Sequence, residues 1–184
     1  SVRQIVAMDG DEILFRNQSY TEPPAWFTFE GKSKPSVQKT VMAMTAGVSF
    51  ADAEAVREMA PSAKDKTSIP INIVRRKDMK LDGQAPMLLT GYGGYGVSLM
   101  PGMNPIYRIW LDMGGAITIA NLRGGGELGE KWHRAGNLAN KQNVFDDFYG
   151  CAQHLVQQKY TNPQKLAIRG GSNASWSTCW STRS

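Results

Sequence analysis

Short apolar runs broken by turn residues dominate the first third of the chain. Glu12-Ile13-Leu14-Phe15 and Ala25-Trp26-Phe27-Thr28-Phe29 are branched or aromatic runs, with Pro23-Pro24 and Gly31 between and after them. This pattern predicts hairpin strands. Val37 to Met44 predicts another strand. Asp52 to Met59 holds helix-forming residues but is short, and Pro61 follows it, so it predicts a brief helix or an extended crossover. Ile69 to Val74 alternates as a strand does, and Lys80-Leu81-Asp82-Gly83 turns the chain.

From Pro86 the pattern becomes strand, glycine loop, helix. Met87-Leu88-Leu89-Thr90 ends in Gly91-Tyr92-Gly93-Gly94-Tyr95-Gly96, and Ala116 to Leu122 feeds Gly124-Gly125-Gly126. Between Asn143 and Gln158, Val144, Phe145, Phe148, Ala152, Leu155 and Val156 recur at helical spacing. Asn143 is the expected cap, with Asp146 and Asp147 in the first turn, where the helix dipole favours acids. Asn162-Pro163 stops this helix, and Leu166-Ala167-Ile168 predicts a third buried strand. Strands alternating with helices argue an α/β fold with a mostly parallel sheet and right-handed crossovers.

With 184 residues, the chain is long enough for one domain with a real core. Lys and Arg number 21 against 16 Asp and Glu, a net charge of +5. The basic residues are scattered, Arg75-Arg76-Lys77 being the densest run, so no nucleic-acid groove is expected. Two cysteines, Cys151 and Cys179, cannot build a disulfide framework. No apolar stretch approaches the roughly 20 residues of a membrane span, so no membrane partner is expected. The first residues, with no initiator Met, read as the middle of a longer protein. A cytoplasmic location is expected, with the periplasm as the alternative.

Gly170-Gly171-Ser172-Asn173-Ala174 directly follows the third strand of the second region. A serine nucleophile sits on a cramped strand-to-helix turn that demands small residues two before and two after it. Gly170 and Ala174 meet that demand. The first amides of a following helix would stand beside the hydroxyl, ready to stabilise an oxyanion. The alternative is a glycine loop in which Ser172 merely caps a helix. The Gly91 to Gly96 loop lies at the carboxyl end of its strand, where ligands of open α/β sheets bind, and a tyrosine there can donate to an oxyanion. Otherwise it is a tight turn with two packing aromatics.

Gly124-Gly125-Gly126-Glu127-Leu128-Gly129 fits the G-x-G-x-x-G pattern of dinucleotide loops, but the acids that follow open a helix instead of ending a strand, so a structural loop is expected. His133 and His154 both precede Ser172, the wrong order for the triad of such a fold. No ligand cluster has metal spacing, so neither metal nor cofactor is expected.

Four ordered stretches resemble the prolyl oligopeptidase family of serine peptidases: Gly91 to Tyr95, Asn121 to His133, Leu138 to Phe148 and Gly170 to Asn173. The resemblance, covering about Ser19 to Asn173, implies a β-propeller paired with an α/β-hydrolase domain that cleaves short peptides after proline. It implies that residues 1–45 are the last propeller strands and the connection, and 46–173 the start of the hydrolase domain. By the same resemblance Ser172 is the nucleophile, the Tyr92 hydroxyl and the Asn173 backbone N–H form the oxyanion hole, and Tyr95 lines the proline pocket. A monomer acting on short proline-containing peptides follows. Residues 174–184 depart from the family, which continues Gly-Gly-Leu-Leu after the serine and asparagine. Their letters fit the loss of one G from GGC-CTC-CTG-GTC, so an aberrant, frameshifted tail is expected. The triad acid and histidine are expected beyond Ser184, which makes this chain inactive alone. The competing readings are a non-catalytic fragment or interaction remnant, and another serine hydrolase such as an acylaminoacyl peptidase or esterase.

Overall fold

The computed structural model describes residues 1–31 and 35–171. The chain divides into two compact units, Ser1–Asp52 with Met100–Arg108, and Ala53–Leu99 with Ile109–Ser184.

The first unit is a meander of β1 (Val2–Ala7), β2 (Glu12–Asn17), β3 (Ala25–Glu30) and β4 (Ser36–Ala43), paired in that order and antiparallel throughout. Phe15 faces Phe27 across the β2–β3 pair, and their rings stack with centroids 5.7 Å apart. A four-stranded antiparallel sheet of this kind has the form of one propeller blade. Arg108 joins the unit through an ion pair with Asp52 at 2.6 Å and a position over the Phe50 ring.

The second unit holds β5 (Ala53–Pro61), β6 (Ser68–Arg76), β7 (Met87–Gly91), all but the first residues of α1 (Ile106–Asp112), β8 (Ala116–Ala120), α2 (Glu130–Arg134), α3 (Gln142–Gln157) and β9 (Leu166–Arg169). The sheet order is β5-β6-β8-β7-β9. The β7–β8 and β7–β9 pairs are parallel, whereas β5–β6 and β6–β8 are antiparallel. The sheet is therefore mixed among the described residues, with its parallel part centred on β7.

Asp52 to Met59, expected as a brief helix or crossover, is instead most of strand β5. Its residues alternate between more and less buried and pair with β6 along their whole length, from Ala53↔Arg76 to Pro61↔Ser68. Nine paired positions outweigh the helix preference of Ala, Glu and Met, which amounts to only tenths of a kcal/mol per residue.

The helix expected from Asn143 is α3. Val144, Phe148, Cys151, Ala152 and Leu155 bury its stripe against Ile69, Ile71 and Ile73 of β6 and Met87 and Leu89 of β7. Asn143 does not cap it. Lys141 holds that position, while the Asn143 side chain accepts from Lys64 Nζ and donates to the Ala135 carbonyl. Gly150 lets the helix press onto the β5–β6 turn, since a Cβ there would stand 2.2 Å from the Pro61 carbonyl oxygen. The crossovers β7–α1–β8 and β8–α3–β9 run in opposite directions across the sheet. Right-handed crossover places such helices on opposite faces.

Candidate active site

The order of strands reverses at β7. Its own connection leads through α1 to β8 on one side, while β9 pairs with its other side. In an open α/β sheet such a switch leaves a crevice at the carboxyl ends of the strands, where ligands bind. The Gly91 to Gly96 loop leaves β7 at that point. The register pairs Thr90 with Arg169, so Gly170 and Gly171 leave β9 at the same edge, one strand away. Gly91 to Gly96 and the Gly170-Gly171 pair thus leave neighbouring strand ends. Ser172 and Asn173, expected as nucleophile and oxyanion donor, lie outside the described residues, as does the 174–184 tail.

Tyr92 is half-buried, its ring packed on the core cluster. Tyr95 is 77% exposed and stands at φ +53°, a left-handed conformation unfavourable for a residue with a Cβ. The loop holds these conformations because the Gly124 to Gly126 loop fills the space beneath it. Gly96 N–H donates to the Gly124 carbonyl at 3.0 Å. A Cβ on Gly124 would lie 2.6 Å from Gly93 O, and one on Gly126 would lie 2.3 Å from Gly96 O. Gly93 itself, at φ +60°, has Val144 Cγ1 2.4 Å from where a Cβ would be. These glycines are needed for backbone-on-backbone packing. The amides of Gly124, Gly125 and Gly129 are bonded to Trp132, Leu122 and Gly126 carbonyls, and α2 has five residues, so the G-x-G-x-x-G segment is a packed floor for the site.

An ion pair anchors that floor. Arg123 extends from the end of β8 to Asp147 on α3, with Nε 2.9 Å from Oδ2 and Nη2 2.5 Å from Oδ1. The Arg123 backbone N–H also donates to Asp147 Oδ2. Asp147 is fully buried. The far side of the guanidinium reaches Asp65 at 2.7 Å and Ser62 Oγ at 3.1 Å on the β5–β6 turn. The guanidinium holds the Asp65 carboxyl well below the usual range, and both carboxylates push Arg123 further up. Asp147, expected as a first-turn acid facing the helix dipole, instead points inward from the second turn.

His133 lies under the same loop. Its Nδ1 is 2.9 Å from the Gly124 carbonyl oxygen, so it donates there, and Nε2 accepts from Asn137. His154 is on α3 and meets Glu58 of β5 through Nε2 at 2.8 Å, while the Tyr160 hydroxyl donates to the other Glu58 oxygen. Both histidines are committed to structural partners. Three further hydrogen bonds lie around these loops. Glu127 Oε1 accepts from Leu99 N–H at 2.7 Å and Asn121 Nδ2 at 3.0 Å, and Lys141 Nζ donates to Gly93 O at 2.9 Å. Burial pushes the Lys141 amine down. The sequence pattern did not single out Lys141, Glu127 or the Arg123–Asp147 pair. All three lie within the stretches that carried the family resemblance, and that was their one signal. Among the described residues no group of three or more His, Cys, Asp or Glu could hold a metal, and no helix is long and apolar enough to cross a membrane.

Comparison with known proteins matches residues 103–183 to the prolyl oligopeptidase family. The prolyl endopeptidase of Dictyostelium discoideum is 45% identical over 129 residues, 69% of this chain and 17% of that protein. The prolyl endopeptidase of Elizabethkingia miricola is 36% identical over 163 residues, 88% of this chain and 23% of that protein. The solved apo structure of prolyl oligopeptidase B from Galerina marginata superimposes with a TM-score of 0.80 at 32% identity, over 94% of this chain and 25% of that one. The chain thus spans about a sixth to a quarter of the length of these proteins.

Proposed function

Because the chain belongs to the prolyl oligopeptidase family, we propose that it carries the nucleophile side of a serine endopeptidase that hydrolyses short peptides after proline. In this reading residues 1–45 are the end of a propeller and its connection, and 46–173 open the hydrolase domain. The β1–β4 meander and the β5–β9 sheet support that division. The observation that carries the reading is the switch at β7, which sets the tyrosine loop beside the strand leading to Ser172.

Ser172 Oγ attacks the carbonyl carbon of the proline residue, and its proton passes to a histidine. The carbonyl oxygen, now negative, accepts hydrogen bonds from the Tyr92 hydroxyl and the Asn173 N–H. When the carbonyl re-forms, the C–N bond breaks and the amine leaves with the proton from the histidine. Water then hydrolyses the acyl-enzyme by the same route. Tyr95, exposed at the rim of the loop, lines the proline pocket. With His133 and His154 bonded elsewhere, the base and its orienting acid come from outside these 184 residues. The chain alone therefore retains only the small rate due to its oxyanion donors. We assign it a monomeric existence in the cytoplasm, with the periplasm as the alternative.

Incubation with a fluorophosphonate tests this. Slow labelling at Ser172, absent in Ser172→Ala and weakened in Tyr92→Phe, is expected. A folded chain that stays unlabelled after prolonged exposure would favour the non-catalytic remnant.

A further inference from the structure

We propose that Lys141 is a positioning residue for the candidate oxyanion loop, acting through the Gly93 carbonyl. This rests on the reading of Tyr92 as an oxyanion donor. Lys141 is the residue before α3, and its backbone is fixed on both sides: its N–H donates to Leu138 O and its carbonyl accepts from Val144 N–H. The side chain therefore starts from a rigid point. It reaches Gly93, 48 residues earlier, and Nζ donates to that carbonyl at 2.9 Å. Among the described residues Lys141 has no carboxylate partner. An ammonium that is partly desolvated and bonded to a single carbonyl has one evident task, which is to hold that carbonyl.

The carbonyl it holds matters because of where the peptide plane points. In a trans peptide the C=O and the following N–H are antiparallel. With Gly93 O drawn inward between Lys141 Nζ and Gly124, the Gly94 N–H faces the opposite way, and it donates to no described residue. Tyr92 is one residue before Gly93, where this plane begins. Fixing the plane anchors the loop at the residue after Tyr92, and with β7 holding the other side this limits where the Tyr92 hydroxyl can sit. Glycine is the softest residue available here, so the Gly93–Gly94 plane depends on its packing against Gly124 and on the Lys141 hydrogen bond. Lys141 supplies the clamp from the N-cap of the helix whose Asp147 anchors the floor.

Two measurements on the intact chain test this. The first is the fluorophosphonate reaction at Ser172, separated into reversible binding and the covalent step. Lys141→Met should slow the covalent step on the order of tenfold to a hundredfold, the cost of a misplaced oxyanion donor, with binding changed less than about twofold. Lys141→Arg should restore most of the rate. In a Tyr92→Phe background Lys141→Met should add less than about twofold, because both act on one donor. An equal effect in both backgrounds, or none in either, would overturn the proposal. The second measurement is the Gly94 amide resonance in glycine-labelled protein, which reports the hydrogen bond to the preceding carbonyl. It should move in Lys141→Met and Lys141→Gln and return in Lys141→Arg. If the unsubstituted chain is not labelled at all, the nucleophile reading falls, and the Gly94 resonance alone decides the clamp. A resonance that ignores all three substitutions refutes it.

Discussion

Asp147→Ala removes the buried half of the ion pair under the site, and the structure allows its cost to be worked out. Asp147 is fully buried, and the Arg123 side chain is 6% exposed. Removing one partner of a buried pair costs about 3–5 kcal/mol, because the survivor remains desolvated and uncompensated. Here Asp65 and Ser62 still hold the outer side of the guanidinium, so the loss should fall near the lower end, about 3 kcal/mol. For a domain of this size that lowers Tm by roughly 6–12 °C. Urea unfolding at neutral pH, followed by tryptophan fluorescence, measures it. Trp132 is a local reporter, since its indole N–H donates to Leu122 O, next to Arg123. Asp65→Asn, at the solvent end of the same guanidinium, should cost less than about 1 kcal/mol. The double variant Arg123→Met with Asp147→Ala should be less damaging than the sum of the single changes, since it leaves no orphan charge. A cost for Asp147→Ala within about 0.5 kcal/mol of zero, or one matched by Asp65→Asn, would refute the assignment of this pair as the anchor of the floor.

Gly93→Ala should destabilise by more than about 2 kcal/mol, since the new methyl meets Val144 and Arg123 O at a left-handed φ. Gly10→Ala, at φ +72° in open space, should cost about 1–2 kcal/mol, and similar midpoint shifts for the two would contradict the close-packing argument. Burial raises the Glu58 carboxyl, but hydrogen bonds from Tyr160 and His154 outweigh it and leave it below its ordinary 4.5. Stability from this group is therefore complete above 4.5 and is lost as pH falls through the lower folded value. Tyr160→Phe should shrink that acid-side loss, as measured by urea midpoints across the range, and an unaltered pH dependence would contradict it. Burial also pushes the Cys151 thiol up, so in a Cys179→Ser background a disulfide reagent should react only as the chain unfolds. Prompt stoichiometric reaction of the folded chain would show the thiol to be accessible.

Apolar and aromatic runs between turn residues were enough to read the strands around Phe15 and Phe27, and periodicity or continuous apolar runs those around Ile71, Leu89 and Ile117 and the stripe of α3, because these bury one face or both. It misread Asp52 to Met59, where pairing with β6 overrides local preference. It also missed β1, where every residue is exposed and apolar alternation carries little energy. The glycine loops were legible as loops, yet their purpose was not. That one forms the floor of the other depends on carbonyls and would-be Cβ atoms meeting across about thirty residues of sequence. The same holds for Arg123, Asp147 and Lys141. A charged residue's partner is set by tertiary approach, and nothing local to Asp147 says that it faces inward.

The contrast between Tyr95 and the glycines around it bears on how such a loop can be altered. The side chain at 95 projects into open solvent, while Gly93, Gly124 and Gly126 have neighbours wherever a methyl would go. Variation is thus cheap at the crown and forbidden at the base. As far as the fold is concerned position 95 can be changed freely, with glycine or asparagine even relieving its awkward backbone, and the scaffold stays untouched.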